Sequence, residues 1–346
     1  TEADARRNLQ KYLRQLAYFD SNIPFVPIDG NEGSNTTDAL QAYQARRGLP
    51  VTGVADQKTW EALYEDYLIS LEEEAPPAGF SPFPSEPKDY ALESDVMNAH
   101  QKASIGNALI KKTMALYYDV PEDFEELVYV GLVLQGYGIR HGIEAHRRNR
   151  PYCMGSMYWQ LNDSWPVVSW SSIDYYGNWK ALHYQTRRAY APILLNAIKE
   201  DNQLGIYVMS DKLEAYPDAT LQLQLSDFNG KTLKKWKVGN DLPANSSIRF
   251  HQEDYATLAT DPTRTFLLMM LKSKDGKELS KEIFYFNYPK DQNLPQADIR
   301  YKIKQEDGQC EVTLQSKQLA RDVFIEIPYQ GARFTDNFFD LLPGET

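Results

Sequence analysis

Residues 154–180 read MGSMYWQLNDSWPVVSWSSIDYYGNWK and carry four of the chain's six tryptophans: Trp159, Trp165, Trp170 and Trp179. Indole rings at this density serve either a core or a ligand, because each offers a large flat apolar face and one N–H to satisfy. The flanking sequence gives the stretch its place. Upstream, residues 91–151 keep Leu109, Met114, Leu127, Val130, Leu134 and Ile143 at helical spacing. PYCMGSMYWQLND (151–163) then reads as a short buried strand running into a loop, and KALHYQTRRAYAPIL (180–194) as one further helix.

From about residue 193 the period changes to that of β-structure. LGIYVMS (204–210), ATLQLQLSD (219–227), IRFHQE (248–253), TFLLMMLKS (265–273) and EIFYFNY (282–288) are apolar runs separated by turn residues such as Asn229-Gly230 and Asp275-Gly276. A second group follows Pro295: DIRYKIKQEDG, CEVTLQS and DVFIEIP. Five or six strands and then three or four more predict two sandwich-like modules, the second one short.

The N-terminal 72 residues differ from both. In ARRNLQKYLRQLAYF (5–19) Leu9, Tyr12, Leu13, Leu16 and Phe19 recur at helical spacing. IDGNEGSNTTDALQAYQARRGLP (28–50) is a glycine-rich turn and a second helix, with Thr36 or Thr37 as its expected cap and Gly48 as its terminator. A third helix opens after Asp56. Residues 72–88, EEEAPPAGFSPFPSEPK, are acidic and then proline-rich, which forbids a continued helix and predicts an extended linker. The expected division is therefore a helical domain 1–72, a linker 73–88, a helical and tryptophan-rich part 89–192, a β-sandwich 193–289 and a shorter one 290–346.

The chain has 346 residues, 42% of them hydrophobic and 25% charged, as in ordinary globular proteins. Its formal charge of −11 argues against nucleic acid and anionic membrane surfaces as partners and leaves neutral polymers such as polysaccharides open. Aromatic content of 12%, with 23 tyrosines, suits sugar faces. Cys153 and Cys310 show no disulfide or zinc pattern, and Cys153, in an apolar run, is expected to be a buried thiol. His141, Glu144 and His146 invite a metal reading, but residues five apart do not share a helical face, so no metal or other cofactor is expected.

Two resemblances organise these observations. Leu9-Gln10, Asp29-Gly30, Gly33, Thr36 or Thr37, Ala39, Tyr43-Gln44, Gly48-Leu49, Gly53, Thr59-Trp60 and Leu63 follow the order found in peptidoglycan-binding domains. Asn31-Glu32 departs from it, standing where that family usually has an aromatic or small apolar residue. Leu9, Leu13, Tyr43 and Trp60 are expected to form the domain's small core. From about Asp89 onward, His100-Gln101-Lys102, Gly106-Asn107, residues 131–151, residues 155–184 and DNFFDLLPGE (336–345) resemble the C-terminal part of β-mannosidases of glycoside hydrolase family two.

The second resemblance implies that GSMYWQLND is the last strand of a (β/α)8 barrel, with immunoglobulin-like sandwiches after it, in a multi-domain α+β chain. It implies that Trp159 floors the mannose site, while Trp165, Trp170 and Trp179 brace the final loop and helix. Asn162 and Asp163 are expected to hold that loop by side-chain to backbone bonds. Retaining hydrolysis needs two carboxyl groups about 5–5.5 Å apart. The resemblance places both glutamates upstream of the matching region; Asn31-Glu32 falls in the helical domain, and Ser85-Glu86 is followed by Pro87 in the linker. No catalytic residue is therefore assigned. The expected function is that of a β-mannosidase-like region, inactive alone, with terminal β-mannosides as the family's substrate. The alternative is a non-catalytic protein that binds carbohydrate or peptidoglycan. A functional N-terminal domain would place the chain in a bacterial, extracytoplasmic or cell-wall-associated setting.

Overall fold

The computed structural model describes every residue except 1, 18–19, 21, 25, 29, 32, 73–89, 104, 307–308, 327–332 and 346. The linker, with Ser85-Glu86-Pro87, and also Asp29 and Glu32 lie outside the described residues. Among the described residues two compact units result, one up to residue 72 and the other from residue 90 onward.

The first unit is helical: α1 (Glu2–Leu16), α2 (Ser34–Arg46) and α3 (Gln57–Glu72). Leu9, Leu13 and Leu16 line one face of α1 and pack with Ile23, Val26, Ala39, Leu40, Tyr43 and Leu63. Two buried glutamines shape the turns. Gln10 accepts from the Gly30 amide (2.8 Å) and donates to the Asn31 carbonyl (3.0 Å) and Thr36 Oγ1 (3.3 Å). Gln44 accepts from the amides of Thr52 (3.0 Å) and Gly53 (2.9 Å) and donates to the Val54 carbonyl (2.9 Å). Each side-chain amide thus supplies bonds that an irregular backbone cannot make within itself.

The expected threonine cap on α2 is corrected. The helix begins at Ser34 after Gly33, which offers no side chain, and Thr36 and Thr37 sit inside the first turn, both donating to the Gly33 carbonyl. Thr36 Oγ1 is instead an acceptor for Gln10. At the other end Gly48 has φ +64°, Leu49 N–H donates to the Gln44 carbonyl (2.8 Å) and Gly48 N–H to the Ala45 carbonyl (3.2 Å), the paired bonds of a Schellman stop. Tyr43 donates to Asp66 (2.8 Å), whose other partner is Arg47 (3.0 Å), linking α2 to α3. Burial first, and then Asp66, push the Tyr43 hydroxyl well above its ordinary range.

The second unit opens with α4 (Asp95–Ala99), α5 (Gly106–Tyr117), the long α6 (Phe124–Arg148) and α7 (Ala181–Ala189). Ser94 caps α4 and Asp123 caps α6 through side-chain oxygens. Arg147 and Arg148 close α6, where cations suit the negative end of the helix dipole. Seven strands follow: β1 (Ile193–Glu200), β2 (Gln203–Ser210), β3 (Tyr216–Asp227), β4 (Thr232–Leu242), β5 (Ser246–Asp254), β6 (Thr265–Lys272) and β7 (Glu278–Tyr285), with a turn of helix, α8 (Tyr255–Leu258), after β5. They form antiparallel sheets β1-β2-β5 and β4-β3-β6-β7. Leu195, Leu204 and Ile206 of one sheet and Leu221, Leu223, Leu267 and Met269 of the other share one core.

Two of these strands were not expected. The helix expected over 180–194 ends at Ala189 instead; Pro192 follows, and Ile193 opens β1, paired with β2, in the region from 193 expected to be β but with no strand assigned before Leu204. β4 is an edge strand on which Lys235 and Lys237 face away from the core, while Trp236 and Val238 pack on it and Lys234, exposed on their side, lies 4.3 Å over the Trp236 ring. The lysines that hide its period also deter edge-to-edge pairing. After a short 3-10 turn at Pro289–Asp291, β8 (Arg300–Glu306) pairs with β9 (Gln309–Gln315), and β10 (Ala320–Val323) with β11 (Phe339–Leu341). The chain is thus mixed α+β, helical first and sheet-rich later.

α6 is fastened to this sandwich by arginines. Arg140, buried, donates to Glu144 (2.7 Å), to Gln185 of α7 (3.1 Å) and to Glu282 of β7. Glu144 also accepts from Asn196 of β1 (2.7 Å). Burial opposes the Arg140 charge, but Glu282 and Glu144 more than offset it and hold the guanidinium ionised. Arg147 reaches the Ala191 carbonyl and Asp211, both at 2.9 Å. DNFFDLLPGE closes the unit from the other side: Phe338 is buried and stacks on Phe324 (4.7 Å), and Arg188 of α7 donates to Asp336 (2.6 Å) and to the Asn337 and Phe338 carbonyls.

Next to this closure two carboxyls meet. The Asp322 amide donates to Asp340 (2.9 Å), which also accepts from Tyr285 (2.6 Å); Tyr129 donates to the Asp322 carbonyl (2.6 Å), and Arg321 lies 3.9 Å over the Tyr285 ring. Burial first, and then Asp340, push the Asp322 carboxyl up to about 7, against the pull of Arg321, Tyr137 and Arg188.

Two outcomes follow from these contacts. Gln44→Ala leaves the Thr52 and Gly53 amides without their acceptor and lowers the stability of the helical unit by about 2–4 kcal/mol in urea melts, while a surface change such as Gln57→Ala does not. An acid whose folded pKa is raised destabilises the fold as pH climbs from its unfolded to its folded value, here from about 4 to about 7. Asp322→Asn keeps the shape, tolerates the φ of +52° and removes that ionisation. The variant should show a flatter Tm-against-pH profile over this window and a higher Tm at pH 7 and above.

Candidate carbohydrate-binding site

The site is built from the segment between α6 and α7. Residues 153–158 have no regular secondary structure, no strand of the described residues lies beside 152–161, and none of these residues is fully buried. From Ser156 to Leu161 the side chains alternate: Ser156, Tyr158 and Gln160 are half-buried, and Met157, Trp159 and Leu161 are exposed. The expected buried strand is corrected: no partner strand of the described residues pairs with the segment, and Met157, Trp159 and Leu161 stand exposed. Met157 is 99% exposed, Tyr152 90% and Trp159 72%. The peptide bonds Arg150–Pro151 and Trp159–Gln160 are cis. Cys153, expected to be buried, is half-buried, with its thiol 3.3 Å from the Gly155 carbonyl.

What holds Trp159 in place lies on the inward face of the segment and in the loop after it. Tyr158 meets Ser172 Oγ (2.9 Å), which donates to the Leu161 carbonyl (3.0 Å) and lies 3.2 Å from His183 Nδ1 of α7. Ser172 N–H donates to the Gln160 carbonyl (3.0 Å) and Ile173 N–H to that of Leu161 (2.8 Å). Asp163, buried, accepts from Ser169 Oγ (2.7 Å), Ser171 Oγ and Gln160 Nε2 (3.1 Å), and pairs with buried Lys180 at 3.5 Å. Lys180 also donates to Ser171 (2.7 Å). Burial lowers the Lys180 pKa, and Asp163 works against that loss of charge. Asp163 therefore holds the loop through side chains rather than the expected backbone bonds; Asn162 does reach a backbone carbonyl, that of Asp163 (3.3 Å). Ser169 and Ser171 carry no such signal in the sequence, because only the folded loop brings them to Asp163.

The remaining tryptophans part company. Trp165 lies 5.3 Å from the His100 ring with Lys102 over it, and Trp179 rests 4.3 Å from His183 and 5.6 Å from Tyr184 of α7. Trp170 is 47% exposed and borders a cavity of about 1310 Å³ between α5, α6 and strands β1 and β7. Trp159 does not line that cavity. The carboxylates nearest Trp159 in sequence are committed elsewhere: Asp163 as described, and Asp174 to the amides of Tyr176 and Asn178 and the Asn178 side chain. Glu144 is taken by Arg140 and Asn196, whereas His141 and His146 are exposed, so the three do not converge. Among the described residues no group of three or more His, Cys, Asp or Glu could hold a metal, and no helix is long and apolar enough to cross a membrane.

Comparison with known proteins gives this geometry its context. Residues 202–291 match the family model of a mannosidase Ig/CBM-like domain, 294–346 that of an Ig-fold domain, and 2–63 that of a peptidoglycan binding domain. The β-mannosidase of Capra hircus is 26% identical over 276 residues, 74% of this chain and 31% of that protein. Residues from about 89 onward resemble the C-terminal part of β-mannosidases of glycoside hydrolase family two. A solved β-D-mannosidase from Dictyoglomus thermophilum superposes with a TM-score of 0.69 at 30% identity, covering 78% of this chain and 33% of that one. β-Mannosidase B of Thermothelomyces thermophilus is 24% identical over 309 residues, 77% of this chain and 34% of that protein. The chain spans about a third of the length of the mannosidases it matches. The sheet-rich part is Ig-like, and the helical unit is the peptidoglycan-binding-like domain.

The two kinds of residue should separate on mutation. Asp163→Ala strands a buried ammonium and costs about 3–5 kcal/mol in denaturant melts. Trp159→Ala, at an exposed ring, stays within about 0.5 kcal/mol of the parent chain.

Proposed function

We propose that this chain is the sugar-contacting, non-hydrolysing C-terminal region of a β-mannosidase-like protein, joined to a helical domain that holds cell-wall polymer. The observation that carries the first half is the Trp159 ring, 72% exposed on a segment whose neighbouring carboxylates are occupied. A flat indole face matches the C–H face of a pyranose and contributes affinity without chemistry. Hydrolysis would need two carboxyl groups facing one glycosidic bond. Asp163 and Asp174, the carboxylates nearest Trp159 in sequence, are both engaged elsewhere, so on this reading the chain alone releases no sugar, whereas a β-mannosidase activity, as the names of the longer relatives suggest, belongs to a chain with a complete barrel.

The same reading assigns residues 89–192 to the end of a (β/α)8 barrel, followed by sandwiches at 193–289 and 290–346, with 73–88 as linker between them and the domain at 1–72. Supporting it is the helix–segment–helix order of α6, residues 152–161 and α7. The alternative, a purely carbohydrate- or peptidoglycan-binding protein, draws on the helical domain. Saturation-transfer NMR with mannose and a β-mannoside disaccharide tests Trp159. The expected result is transfer to the sugar C–H protons that disappears in Trp159→Ala; equal transfer in the variant would remove the ring from the site.

A further inference from the structure

The helical unit carries more aromatic surface than its core uses. Leu13, Tyr43 and Leu63 are fully buried and complete that core. Trp60, Tyr64 and Tyr67 stand at i, i+4 and i+7 of α3 and so share one face. Tyr12 of α1 meets all three: edge-on to Trp60 at 6.1 Å, 5.5 Å from Tyr64 and 4.5 Å from Tyr67. Tyr12 and Trp60 pack inward on the core, while Tyr64 is 48% exposed. The result is a continuous strip of rings, anchored below and open above.

The borders of the strip are charged, with opposite signs on its two sides. On α1, Arg7 and Lys11 are exposed one turn apart, and the Lys11 ammonium lies 5.6 Å from the centre of the Tyr67 ring. On α3, Glu61 and Glu65 flank Tyr64; Glu61 accepts from Gln57 (2.9 Å) and Glu65 lies 4.0 Å from Arg47. A uniformly anionic polymer would be repelled by the glutamates, and a purely apolar partner would leave both borders unused. A polymer of neutral pyranoses whose side peptides carry both carboxylates and ammonium groups satisfies rings and borders together.

We infer that the strip formed by Tyr12, Tyr64 and Tyr67 over Trp60 is where the helical unit takes the glycan strand of peptidoglycan, with sugars on the rings and stem peptides on the two charged borders. The inference rests on the wall-binding reading of this unit and adds the surface that performs it.

The test is co-sedimentation of the full chain with purified peptidoglycan sacculi. Tyr64→Ala/Tyr67→Ala should weaken binding at least five-fold, Tyr64→Phe/Tyr67→Phe should retain it because the rings remain, and circular dichroism should show the same helix content in all. Tyr64→Ala alone, at the exposed ring, should lose at least two-fold and serves if the double alanine variant does not fold. Binding by a folded Tyr64→Ala chain equal to that of the parent overturns the strip while leaving the wall-binding reading intact. A parent chain that does not sediment with sacculi overturns that reading and the strip with it.

Discussion

A buried guanidinium that cannot stand alone organises the larger unit. Arg140 needs Glu144 on its own helix, Gln185 on α7 and Glu282 on β7, and Glu144 in turn needs Asn196 on β1. Removing any carboxylate would leave a charge in a low-dielectric interior, a loss of several kcal/mol. Four elements are thereby fixed to one point, and the segment strung between α6 and α7 starts and ends on them. Downstream of Trp159 a second buried ionic contact, Asp163–Lys180, ties the loop that follows to the start of α7.

Much of this architecture was legible from period and punctuation. The three N-terminal helices, the Gly48 stop and the sandwich runs rest on local rules of spacing and backbone freedom, which act within a few residues. The failures share a different cause. The end of α7 was set too late because Ile193 and Leu194 belong equally to either period until a pairing partner is known, and β4 was hidden by lysines suited to an edge. Thr36 looked like a cap, but a glutamine 26 residues away claimed its oxygen. The tryptophan segment was expected to be a buried strand, yet burial depends on neighbours that no local pattern reveals.

The candidate site was legible in part for the same reason. Trp159 could be singled out by resemblance and stands exposed, as a sugar platform requires; its contact with sugar is the proposal made above. Trp170, expected to brace the loop, borders open space instead. The Asp163 network was invisible because its serines become meaningful only when the loop folds them onto one carboxylate. An exposed indole without a carboxylate pair can hold a pyranose but has no means to protonate a leaving group or to attack an anomeric carbon.

The separation of sugar contact from hydrolysis is the central claim, and turnover of a nitrophenyl β-mannoside by the full chain tests it most directly. The account predicts no nitrophenol release above the buffer rate at any enzyme concentration. Release that scales with protein and is abolished by Trp159→Ala would contradict it.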